Sequence, residues 1–171
     1  MNNKGIFTPR FFVLSSLILI AAATRFLPHP PNFTAVGALA MFGAANFEDK
    51  RLAFILPILV MLLTDLFIPF GFSPEVYVSF IGVVLIGFTL RGRTSAANVV
   101  MGSLASSVLF YLVTNLVFWY TFYPHTLAGQ IESYTAALPF FANSLAGDLF
   151  FNGLFFGAYA MIRKAYPVLA E

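Results

Sequence analysis

Apolar residues run through this chain in long stretches separated by short charged or turn-forming knots. Arg10 and Arg25 bracket a run from Phe11 to Thr24. A second, from Asn32 to Phe47, stops at Glu48-Asp49-Lys50-Arg51. The third extends from Leu52 to about Pro69 with Asp65 near its far end, and Gly71-Phe72-Ser73-Pro74 reads as the turn that closes it. The fourth covers about Val76 to Leu90 and ends at Arg91-Gly92-Arg93. The fifth covers about Ala96 to Tyr120, and the sixth runs from about Pro139, a residue suited to a first helical turn, to Ile162. Stretches such as Leu52 to Leu63 lack the in-out alternation of an outer-membrane barrel strand. The pattern therefore predicts an all-α, polytopic membrane protein with six transmembrane helices, several of them short of the roughly 20 residues that cross a bilayer without tilt or shielding.

Charge gives these spans a direction. With the N-terminus inside, the inside segments hold Lys4, Arg10, Lys50, Arg51, Arg91, Arg93, Arg163 and Lys164, eight of the nine basic residues, and Arg25 alone is outside. Cytoplasmic loops carry the Lys and Arg excess, so both termini are expected in the cytoplasm. Lys4, Arg10 and Ala21-Ala22-Ala23 also fit a cleavable signal, but Arg25-Phe26-Leu27-Pro28 reads as the start of a loop, and retention of the first helix is expected.

Composition narrows the class further. Of 171 residues, 60% are hydrophobic and 9% charged, against about 25% charged in soluble domains. Six spans leave no room for a separate catalytic domain, so residues 1–171 read as a single integral membrane domain. The absence of cysteine removes thiolate nucleophiles and Cys-containing metal sites. The basic residues come in separated pairs, not in a patch, and no nucleic-acid partner is expected. No metalloprotease, nucleophile-elbow, Walker or dinucleotide motif is present, so neither an enzyme nor a bound cofactor is expected.

Orientation gathers the unusual polar residues on one side. Arg25, His29 and Asn32 fall in the first outer loop, Asp65 and Glu75 flank the second, and Asn115 lies about 28 Å up the fifth helix. Asp148, about 13 Å into the sixth helix, is too costly to face lipid and should face the interior. Ser144, Asp148 and Asn152 share a helix face at i, i+4 spacing. Their stripe is either a knot between helices or part of a ligand site. Arg25 neutralises an Asp or meets an anionic ligand group. His29, in Pro28-His29-Pro30-Pro31, sits on a stiff turn as a solvated residue or a lid contact. Trp119, with Tyr120, Phe122 and Tyr123, is an interface anchor or a stacking surface. Thr126 to Leu138 suggests a short amphipathic helix on the outer surface, with Leu127, Ile131, Tyr134 and Leu138 on one face. The small-residue pairs Ala40/Ala44, Gly102/Ser106 and Gly153/Gly157 mark close helix contacts or a docking face.

The stretch from Arg25-Phe26-Leu27-Pro28-His29-Pro30-Pro31-Asn32 through Gly43, with Thr64-Asp65-Leu66-Phe67, Thr114-Asn115, Tyr123-Pro124 and Gly147-Asp148-Leu149-Phe150, resembles a family of uncharacterised bacterial membrane proteins described as transport proteins. That family in turn resembles the substrate-binding S components of energy-coupling-factor vitamin transporters. The resemblance implies an S-component-like bundle in the bacterial plasma (inner) membrane. It also implies a pocket roofed by the first, third and fifth loops, and cytoplasmic ATPases reached through a transmembrane coupling subunit. The expected function is binding and uptake of a small vitamin-like or cofactor-precursor molecule. The ligand-binding set is Arg25, His29, Asn32, Asp65, Asn115, Trp119, Asn143 and Asp148. A self-contained ion- or proton-coupled carrier or channel, and a noncatalytic scaffold or assembly factor, are the alternatives.

Overall fold

The computed structural model describes residues 9–68 and 72–166, which form seven α-helices and no strand. α1 (Pro9–Ala23) runs into a 3-10 turn at Thr24–Phe26, and an extended segment leads to α2 (Val36–Asn46). Then come α3 (Lys50–Asp65), α4 (Pro74–Thr89), α5 (Ala96–Phe122), α6 (Leu127–Ala136) and α7 (Leu138–Ala165). Local chemistry sets several of these starts. The side chains of Asp49, Ser95 and Thr126 accept hydrogen bonds from the backbone N–H groups of Arg51, Asn98 and Gly129, which otherwise lack an intrahelical acceptor. Pro74 and Pro139 occupy first-turn positions, where no N–H is needed.

Two helices are long and apolar enough to cross a membrane, α5 with 27 residues and α7 with 28, about 40 Å each at 1.5 Å per residue. That is fewer than the six spans expected. α1, α3 and α4 have 15, 16 and 16 residues, about 24 Å each. The run from Asn32 to Phe47 is not one helix. Asn32 adopts left-handed backbone (φ 63°), and helical geometry starts at Val36, leaving an 11-residue α2.

α2 is the centre of the fold. Every residue in it except Gly37 is buried, and it packs against α1, α3, α4, α5 and α7. A helix that is apolar on all sides belongs in an interior. Its closest neighbour is α4, where a Cβ on Gly87 would lie 2.6 Å from both the Met41 carbonyl oxygen and the Ala44 Cβ. On another side the Phe42 ring meets Phe156 and Tyr159 edge-on, with centroids 5.1 and 5.6 Å away.

α5 buries Gly102, Ser103, Ser106 and Ser107 and exposes Met101, Leu104, Val108 and Leu112. Gly102 and Ser106 meet Met41 of α2, so this small-residue pair is a helix contact. Gly153 and Gly157 instead face open space. α6 leaves Leu127 and Ile131 exposed and buries Gly129 and Ser133. Tyr134 does not share its apolar face but turns toward α5. It donates to the Leu112 carbonyl at 2.9 Å while Tyr111 donates to the Tyr134 carbonyl at 2.6 Å.

Candidate functional site

Two adjoining cavities lie where the Asn32 segment, the start of α4, α5 and the first half of α7 converge. The larger is about 360 Å³ and the smaller about 170 Å³. Asn32, Val76, Phe110 and Ser144 line both, making them two lobes of one chamber. Rings dominate the larger lobe, where Phe110, Tyr111, Phe118, Phe140 and Phe141 form the walls. Its polar groups include Glu75, Thr114, Asn115 and Ser133. The Ser133 hydroxyl is buried and has no hydrogen-bond partner. The Asn115 amide donates to the Tyr111 carbonyl at 2.7 Å. Partial burial, then the neighbouring Tyr111 phenol, raises the pKa of Tyr134, which keeps its hydroxyl a donor.

Asp148 closes the smaller lobe. It is 7% exposed, and its Oδ2 accepts from the Ser107 hydroxyl of α5 at 2.6 Å. One turn along, the Asn152 amide donates to Ser103 at 2.8 Å, while its Oδ1 has no partner. The α7 stripe therefore meets a serine ladder, Ser103 and Ser107, spaced i, i+4 on α5. Asp148 Oδ1 presses on the first turn of α2. A Cβ built on Gly37 would collide with it, so only glycine leaves room there. The carboxylate gains from the partial positive charge at the α2 N-terminus, but it forms no ion pair among the described residues.

Arg25 and Asp65 do pair, at 2.7 Å, with side chains 13% and 4% exposed. The same guanidinium also donates to Thr64, and Tyr77 donates to the other Asp65 oxygen. Of the two readings of Arg25, neutralising a carboxylate is what the geometry contains. Arg25 lines the smaller lobe, whereas Asp65 stands behind it and lines neither.

The other expected site residues divide. Asn32, Asn115 and Asp148 line the chamber. Asn143 does not, but its amide donates to the Pro31 carbonyl at 2.9 Å and fastens the Asn32 segment to α7. Trp119 also lies outside both linings. Its indole N–H donates to the Pro124 carbonyl at 3.0 Å, bracing the turn into α6, where Tyr120 stacks on His125 at 4.5 Å. His29 is exposed, its ring nitrogen 2.9 Å from the Pro30 carbonyl. Ser107, the donor to Asp148, is the contact that sequence reasoning missed, and Glu75, expected only to flank the second outer loop, lines the larger lobe. The Ser103/Ser107 spacing opposite Asp148/Asn152 was the available signal for the first.

Among the described residues no group of three His, Asp or Glu side chains converges on a metal-sized site. The class defined by fold and site is an all-helical protein with apolar helices of membrane-spanning length and a ring-walled chamber. The chain belongs to the family described as Family of unknown function (DUF6580), which matches residues 6–169. No curated protein and no solved structure matches it.

Proposed function

We propose that this is a multi-pass protein of the bacterial plasma membrane that binds a small organic molecule in the chamber from outside, as the substrate-binding component of an uptake system. The observation that carries this reading is a pocket of ligand size with aromatic walls and a few convergent polar groups, the usual make-up of a small-molecule site. Ser133 adds weight, because a buried hydroxyl without a partner is uncommon unless something else fills its valence. The membrane reading is supported by α5, which turns its serines inward and its large aliphatic residues outward, the reverse of a soluble helix. The shorter helices cross with tilt or with neighbours shielding their ends.

In this reading the Asn143–Pro31 bond holds the roof, and Asn32 and Asn115 orient the ligand. The similarity to S components suggests that uptake is energised by cytoplasmic ATPases through a transmembrane coupling subunit. Mass spectrometry of small molecules released from gently purified protein tests the proposal. A molecule recovered from native protein and lost on Asn115→Ala or Ser133→Val is expected, and its absence from every preparation would count against a ligand site.

A second reading, a proton- or ion-coupled carrier, draws on the Asp148 carboxylate inside α7 and the unpartnered Asn152 Oδ1 and Tyr159 hydroxyl further along the same helix. Uptake that follows a pH gradient without any coupling partner would favour it.

A further inference from the structure

The charge of the chamber narrows what it can hold. Among the described residues no lysine, arginine or histidine lines the larger lobe, whereas Glu75 does. In the smaller lobe Arg25 is committed to Asp65, which stands outside the lining, so among the described residues the Asp148 carboxylate is the charge without an ionic partner. The half-charge of the α2 N-terminus offsets it only in part. A buried carboxylate with one hydroxyl donor is completed by a cation, and the Phe80 and Phe110 rings that line the same lobe favour the same sign wherever they present a face.

We propose, building on the reading of the chamber as a ligand site, that it takes an aromatic amine. The ring lies between Phe110, Tyr111 and Phe141, and the ammonium sits at Asp148. The spacing is readable from α5. Phe110 and Tyr111 follow Ser107, the hydroxyl bound to Asp148, by three and four residues, which at 1.5 Å per residue puts the ring about 5 Å from the ammonium along the helix. A ring with a two-carbon arm to nitrogen meets that distance. Ser133 and Asn115 are left for a polar atom on the ring.

The test titrates purified full-length protein with tryptamine, its neutral isostere tryptophol and the anionic indole-3-acetate, read by thermal melting. Tryptamine is expected to act at about 10- to 100-fold lower concentration than tryptophol, the range for losing a charge-assisted bond, and indole-3-acetate is expected to do nothing. Asp148→Asn should erase the preference for tryptamine over tryptophol. Should Asp148→Asn fail to fold, the ranking of the three probes on the native chain decides alone. Indole-3-acetate binding as well as tryptamine, or a preference that survives Asp148→Asn, overturns the proposal. If no probe shifts the melt, the molecule released from native protein decides. A cationic aromatic supports the assignment, and an anionic or neutral one overturns the class while leaving the ligand site standing. No released molecule at all removes both.

Discussion

Arg91 and Asp148 hold opposite ends of one helix. Asp148 Oδ1 rests on Gly37 in the first turn of α2. At the other end Arg91 Nε donates to the Ala44 carbonyl at 2.9 Å, and its guanidinium also reaches the carbonyls of Phe47 and Glu48. An acid at the N-terminus and a guanidinium at the C-terminus both complement the helix dipole. α2 needs this because its ends are inside the protein, where unsatisfied N–H and C=O groups cannot turn to water.

Arg91→Met should therefore cost about 1–3 kcal/mol, the penalty for orphaned acceptors, and lower the melting midpoint by roughly 2–10 °C in a chain of this size. Arg91→Lys should recover only part of the loss, since one ammonium cannot span the carbonyls that the planar fork reaches. Thermal melts of the two variants in one detergent compare them directly, and equal melts for Arg91→Met and the native chain would remove the capping role.

Two glycine substitutions should move in opposite directions. In Gly37→Ala the new methyl collides with the Asp148 carboxylate, so the protein should lose stability and the smaller lobe should change shape. In Gly153→Ala the methyl meets nothing within 4 Å, and the helix gains up to about 1 kcal/mol from alanine's propensity. Melting midpoints of the pair separate the two effects, and similar behaviour at both positions would contradict the contact between α2 and α7.

How legible this was in the sequence depends on the range of the interaction. Helix positions came from local signals that survive folding. Long apolar runs, and Pro139 for α7, place α5 and α7 to within a few residues of their observed ends. The run from Asn32 to Phe47 is longer than its helix because Asn32 takes left-handed backbone and helical geometry begins only at Val36, which apolar periodicity does not mark. That this helix becomes the buried centre shows only in its neighbours, above all Gly87 against Met41. Asp148 was readable as inward-facing from its cost in lipid. That Ser107 would meet it, or that Arg25 would close on Asp65 and not on Asp148, depends on contacts 41 and 40 residues apart in sequence. Those no spacing rule supplies.

The Arg25–Asp65 pair offers a sharper check. Breaking it from one side strands a largely buried charge, so Arg25→Met and Asp65→Asn should each destabilise by about 3–5 kcal/mol, and the double variant by less than the sum. If Asp65→Asn instead raises affinity for indole-3-acetate, the released guanidinium is able to serve an anion, and the pairing is what sets the charge of the chamber.

Membrane orientation is the last prediction, and the chain suits its test because it contains no cysteine. His29 is exposed in the segment after α1, and Arg93 is exposed in the turn between α4 and α5. In the six-span arrangement these positions lie on opposite faces of the membrane, since α2, α3 and α4 intervene, an odd number of crossings. By the excess of Lys and Arg around Arg93, that side is expected in the cytoplasm. A single cysteine at His29 should react with an impermeant maleimide on intact cells. One at Arg93 should react only after permeabilisation. If both react from outside, or neither does, an even number of helices crosses between them and the six-span arrangement fails.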